Sequence, residues 1–98
     1  MSALQTTLLE IDYGPKLGVH FPETSPGYTI DDAVADILSG EPFGTLHAVY
    51  SISDGKCEDV SEQVVDKIAA AWIAGRFVSP MAREFIDYMG REVQEAAE

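Results

Sequence analysis

The 98-residue chain carries 17 Asp and Glu against 6 Lys and Arg, a formal net charge of −11 at pH 7, with 46% hydrophobic and 23% charged residues. A chain of this length buries about 60 to 70% of its unfolded surface around one core, and its apolar content excludes wholesale disorder. The charge disfavours direct binding to nucleic acid and to anionic membrane surfaces, and makes a basic protein the natural complement.

In "TTLLEIDY" the apolar Leu9, Ile11 and Tyr13 alternate with Glu10 and Asp12, the period of a half-buried strand with its acids toward solvent. Residues 14–28, rich in glycine and proline, predict a loop with a short strand over 17–21. Either this loop is an interaction element, or Phe21 and Tyr28 tack it to the core. "TIDDAVADILSG" predicts a short amphipathic helix. Thr29 and Asp32 are its start signal, Gly40 its stop, and Ile30, Ala33, Val34, Ile37 and Leu38 its apolar stripe.

"TLHAVYSIS" predicts a strand, and Asp54-Gly55 is a tight-turn dipeptide that folds "KCEDV" back against it. Asp59 or Ser61 is then expected to cap a second helix, with Glu62 completing a capping box after Asp59. That helix buries Val60, Val64, Val65, Ile68 and Trp72 and ends or kinks at Gly75. Ser79-Pro80 opens a third, with Ala82, Phe85, Ile86, Met89 and Val93 inward. The expected fold is a single α+β domain over residues 1–98, a small antiparallel sheet of three to four strands packed against three helices in the order β-(β)-α-β-β-α-α.

No catalytic signature emerges. Glu58 and Asp59 beside the single cysteine, Cys57, disfavour a thiolate, so Cys57 is expected to be a small packing residue. His20 and His47 lie outside any metal-ligand spacing, and "DGKCED" departs from the calcium-loop pattern at Lys56. The expectation is a non-enzymatic protein with no cofactor and no metal site. The start has no basic and apolar leader pattern, and no run approaches the roughly 20 apolar residues of a membrane span. A cytoplasmic protein of bacterial or viral origin is expected.

The acidic segments remain as the functional signal. Residues 1–49 hold seven acids against one base, Lys16. Asp31 and Asp32 suit a helix N-terminus, but Asp36 lies near the C-terminal end, where its charge is unfavourable and hints at use. Asp31, Asp32, Asp36 and Glu41 are the first candidate contacts, and Glu58, Asp59, Glu62 and Asp66 the second. On the third helix Glu84, Asp87, Glu95 and Glu98 oppose the apolar stripe, with Arg91 expected to pair with Asp87 and Glu95. Helix two presents Ala70, Ile73 and Ala74 on its outer side, predicting cover by the third helix or by a second subunit, and hence a monomer or a homodimer.

In length, charge and lack of catalytic motifs the chain resembles the small acidic inhibitors of phages and mobile elements, the anti-CRISPR proteins and DNA mimics. The resemblance implies a protein that occupies a basic nucleic-acid channel, as in a CRISPR effector complex, within the cytoplasm of a host cell. A second reading is an accessory or regulatory interaction module, dimeric through helix two.

Overall fold

The structure, a computed structural model, describes residues 5–22, 27–42 and 44–91. Seven elements follow one another: β1 (Thr6–Asp12), β2 (Val19–His20), α1 (Ile30–Ser39), β3 (Thr45–Ser53), β4 (Lys56–Asp59), α2 (Ser61–Ile73) and α3 (Pro80–Tyr88). The strands form one antiparallel sheet in the order β2-β1-β3-β4. This is the expected α+β fold, with the expected order of strands and helices.

Directly opposed residues of an antiparallel pair share a face. Thr7 and Ser51, Leu9 and Val49, and Ile11 and Leu46 are so paired, and all six are buried. Leu9, Ile11, Leu46 and Val49 meet Ala33 and Ile37 of α1, Val64 and Ile68 of α2, and Ala82, Phe85 and Ile86 of α3 in one core. The intervening pairs, Thr6 with Ile52 and Leu8 with Tyr50, are half-buried on the opposite side.

Strict alternation along β3 would put Leu46 on the same side as Ala48, Tyr50 and Ile52. The register avoids this by a bulge. Glu10 opposes Ala48 while Ile11 opposes Leu46, leaving His47 as an extra residue that turns Leu46 inward. Gly44 lets the chain enter the strand so close to β1. Its φ is +114°, and a Cβ there would lie 2.6 Å from Ile11 Cγ2 and 2.9 Å from the Asp12 carbonyl oxygen. At the other end of β3, Asp54 and Gly55 both have positive φ, as a two-residue type I′ hairpin requires.

Two buried serines fix the helices. Ser79 accepts from the Ala82 N–H as the cap of α3, donates its hydroxyl to the Ile37 carbonyl at 2.6 Å, and donates its N–H to the Leu38 carbonyl at 3.0 Å. One residue thus starts α3 and satisfies carbonyls at the end of α1. Ser61 accepts from the Val49 N–H at 2.9 Å and holds the start of α2 against β3. The expected Asp59–Glu62 capping box does not form. Ser61 is already the first helical residue, so Asp59 accepts from the Ser61 N–H while Glu62 turns toward Arg91.

α3 ends at Tyr88, with Met89 as its C-cap, and Val93 lies outside the described residues. Arg91 therefore follows the helix rather than continuing it, and the expected pairing with Asp87 is replaced by one with Asp66 and Glu62 of α2, the latter at 2.5 Å. Glu95 also lies outside the described residues. Arg83 stacks over Trp72, 4.9 Å from the ring centroid, as a second link between α2 and α3.

Ser79→Ala removes a cap and leaves buried carbonyl and N–H groups short of a partner, and is expected to lower unfolding free energy by about 2 kcal/mol. Gly44→Ala is expected to cost more than about 2 kcal/mol, since it combines strain with a steric clash. Urea denaturation of both variants, compared by midpoint at unchanged slope, measures each.

Candidate functional site

The three helices cover one face of the sheet, and among the described residues no helix packs across the other. By register the uncovered face carries Leu8, Glu10 and Asp12 of β1, Val19 of β2, Tyr50 and Ile52 of β3, and Cys57 and Asp59 of β4. None of the residues that the register puts on this face is a lysine or arginine; Lys56, opposite Ser53, belongs to the helix side. By register Glu10, Asp12 and Asp59 therefore meet no lysine or arginine of their own face.

Several contacts hold this face in shape. The Tyr50 hydroxyl donates to Glu10 Oε1 at 3.2 Å, and the negative charge of Glu10, first among several causes, raises the Tyr50 phenol above the ordinary tyrosine range. Asp12 Oδ1 accepts from the Gly14 N–H at 2.8 Å, which fixes the carboxylate and the turn into β2 together. His47, displaced by the bulge, sits with its two ring nitrogens each 3.9 Å from a carboxylate, Glu10 on one side and Asp12 on the other. Its ring stacks on Tyr88, the last residue of α3, at a centroid separation of 5.1 Å. Phe21, half-exposed, lies 6.2 Å from the Tyr50 ring. Carboxylates at fixed positions beside exposed aromatic rings suit the side chains of arginine and lysine, which pair with the acids and stack on the rings.

The eight acids singled out from the sequence do not form one surface. Asp32 is consumed by the capping box with Thr29, which the structure contains in full. Asp31 pairs with Lys67 of α2 at 3.3 Å, so α1 has a compensating base that its own segment lacks. Asp36 is half-buried and accepts the Tyr28 hydroxyl at 2.5 Å. Its place near the helix C-terminus thus has a structural reason, and Tyr28 does tack the loop to the core. Glu62 and Asp66 hold Arg91. Glu41 and Glu58 are exposed with Glu58 on the helix side of the sheet, and only Asp59 shares the open face with Glu10 and Asp12.

Cys57 is exposed on β4 rather than packed, because the edge strand has no helix over it. Among the described residues no group of three or more His, Cys, Asp or Glu is placed to hold a metal ion, and no helix is long and apolar enough to cross a membrane. Glu10 and Asp12 were visible in the sequence as the solvent side of a strand. Their association with Asp59 depends on β3 lying between them, which alternation within one strand does not reveal.

No protein-family model, curated protein or solved structure matches the chain. The fold and the open face define its class, a small α+β module with an anionic, aromatic sheet surface.

Burial and the hydrogen bond to Asp36 hold the Tyr28 phenol well above the ordinary tyrosine range. A group whose pKa is raised on folding adds stability that is complete below its unfolded value, about 10, and is lost as pH rises above it. Tyr28→Phe should therefore cost about 1 kcal/mol at neutral pH and lose less stability than the parent on passing above about pH 10. Urea unfolding at stepped pH tests both parts.

Proposed function

We propose that this protein is a non-enzymatic inhibitor that binds a nucleic-acid-handling protein complex and covers its basic nucleic-acid surface, in the manner of anti-CRISPR proteins and DNA mimics. The observation that carries the proposal is the open face of the sheet, where Glu10 and Asp59 flank Tyr50 and Asp12 lies further along β1, with no Lys or Arg assigned to that face, in a chain of net charge −11. A channel built for phosphates attracts carboxylates through the same long-range field, and the fixed aromatic rings add short-range contact with its arginines. Contact through this face moves the main interaction from α1, whose acids have internal partners, to the sheet. Glu41 and Glu58 remain available as peripheral contacts. A second reading, an accessory interaction module, is favoured by the exposed Ala70 and Ile73 of α2 and Ala74 at its C-cap.

The test compares two variants in pull-downs from nuclease-treated bacterial lysate. In the first, Glu10→Lys, Asp12→Asn and Asp59→Asn strip the open face, the asparagines keeping an acceptor for the Gly14 and Ser61 N–H groups. In the second, Asp31→Asn, Glu62→Gln and Asp66→Asn strip the helices. A nucleic-acid-binding complex should be retained by the parent and the helix variant, and released by salt or by competing duplex DNA. The open-face variant should bind at least about tenfold more weakly. Equal retention by the open-face variant, or indifference to both salt and DNA, overturns the proposal.

A further inference from the structure

α3 does not cover the outer side of α2. Ala70, Ile73 and Ala74 are exposed, which overturns cover by the third helix at these positions. α3 engages α2 elsewhere, through the Arg83–Trp72 stack and the Arg91 ion pairs. Beside the exposed strip a groove of about 430 Å³ separates α1 from α2. Its floor is Val34, Leu38 and Ala71, and its walls include the small side chains of Ala35, Ala70 and Ala74. It continues past Ala35 and Leu38 to Phe77, which is 71% exposed.

The ends of this groove differ. At one, Asp31 of α1 meets Lys67 of α2, with the Asp31 side chain 84% exposed. At the other stand Arg76, which has no ion pair among the described residues, and Phe77. α1 and α2 run the same way along the groove, because Asp31 lies beside Lys67 and Leu38 shares the other end with Arg76 and Phe77. Seven helical residues separate these ends, about 10 Å of rise.

From these features we propose that the α1–α2 groove is the contact between two copies of this chain, related by a two-fold axis. In such a contact each patch meets itself in reverse, so that residue i touches j and j touches i. Antiparallel apposition lays Phe77 and Arg76 of one copy over the Ala70 and Asp31 end of the other. An exposed aromatic ring then enters a trough walled by alanines, and the Arg76 guanidinium joins Lys67 at the exposed Asp31 carboxylate. Charge selects the occupant as well as the geometry. The groove's own charged residues are two bases and one acid, whereas the whole chain is −11. Two copies therefore repel each other less across this surface than across the open sheet face. The inference is independent of the charge-based reading above, because the groove is lined by residues from 31–39 and 67–77 and leaves the sheet face free.

Sedimentation velocity from about 10 μM to about 1 mM, in buffer of physiological ionic strength, tests it. The parent should shift with concentration from the 10.6 kDa monomer toward twice that mass. Ala70→Gln fills the trough without changing charge, Phe77→Ser removes the ring, and Arg76→Asp reverses the end charge. Each should weaken association at least about tenfold, and Arg76→Asp combined with Asp31→Arg should restore most of it. All four sites are exposed, and circular dichroism checks that each variant keeps its fold. A monomer at every concentration overturns the proposal. So does a dimer unaffected by Ala70→Gln and Phe77→Ser, or a charge swap that fails to restore association.

Discussion

The extra residue at His47 decides which side chains each face of the sheet receives. Without it Leu46 would follow Ala48, Tyr50 and Ile52 outward, and the core would lose a fully buried leucine, a loss of about 2 to 5 kcal/mol by analogy with truncation of such residues. With it Leu46 closes the core against Ile11, and His47 is pushed between Glu10 and Asp12. The close entry of the chain at Gly44 and the stack of His47 on Tyr88 both follow from the same local bend. A packing requirement on one face thereby sets the position of a histidine beside the carboxylates of the other.

The helices among the described residues lie on only one face of the sheet. α1, α2 and α3 meet over Leu9, Ile11, Leu46 and Val49, and the two serines remove the polar cost of bringing helix ends so close. Ser79 is the more economical, since an ordinary N-cap satisfies its own helix and this one also serves the preceding helix. The uncovered face avoids a large apolar exposure by mixing Leu8 and Ile52 with Glu10, Asp12, Tyr50 and Asp59. The same composition that keeps the bare face compatible with water makes it anionic.

Local signals carried the architecture in the sequence. The alternation of 6–12, the Thr29–Asp32 box, the Asp54-Gly55 turn and the Ser79-Pro80 start each depend on neighbours within four residues, and each is present in the structure. What escaped were contacts between distant segments. Arg91 looks along its own helix from sequence spacing, yet its partners Glu62 and Asp66 lie on α2, more than 20 residues earlier. Asp36 looked unexplained because Tyr28, beyond its helical turn, supplies the reason. The bulge was invisible for a different cause: a one-residue slip changes the faces without changing the strand propensity of "TLHAVYSIS".

The distribution of charge matters more than its total. Six bases are too few to neutralise seventeen acids, but Lys67 and Arg91 are placed on acids of the helical layer, and Arg83 on an indole. The sheet face receives none by register, so the helical layer is partly compensated and the sheet is not. Exposed pairs of this kind contribute little to stability, so their placement bears mainly on where the molecule is attractive to others. A two-fold pair joined through the helical layer would keep both anionic sheet faces exposed. For a partner offering two basic sites at a matching distance, binding through one face raises the local concentration of the other, and avidity rises without any new contact.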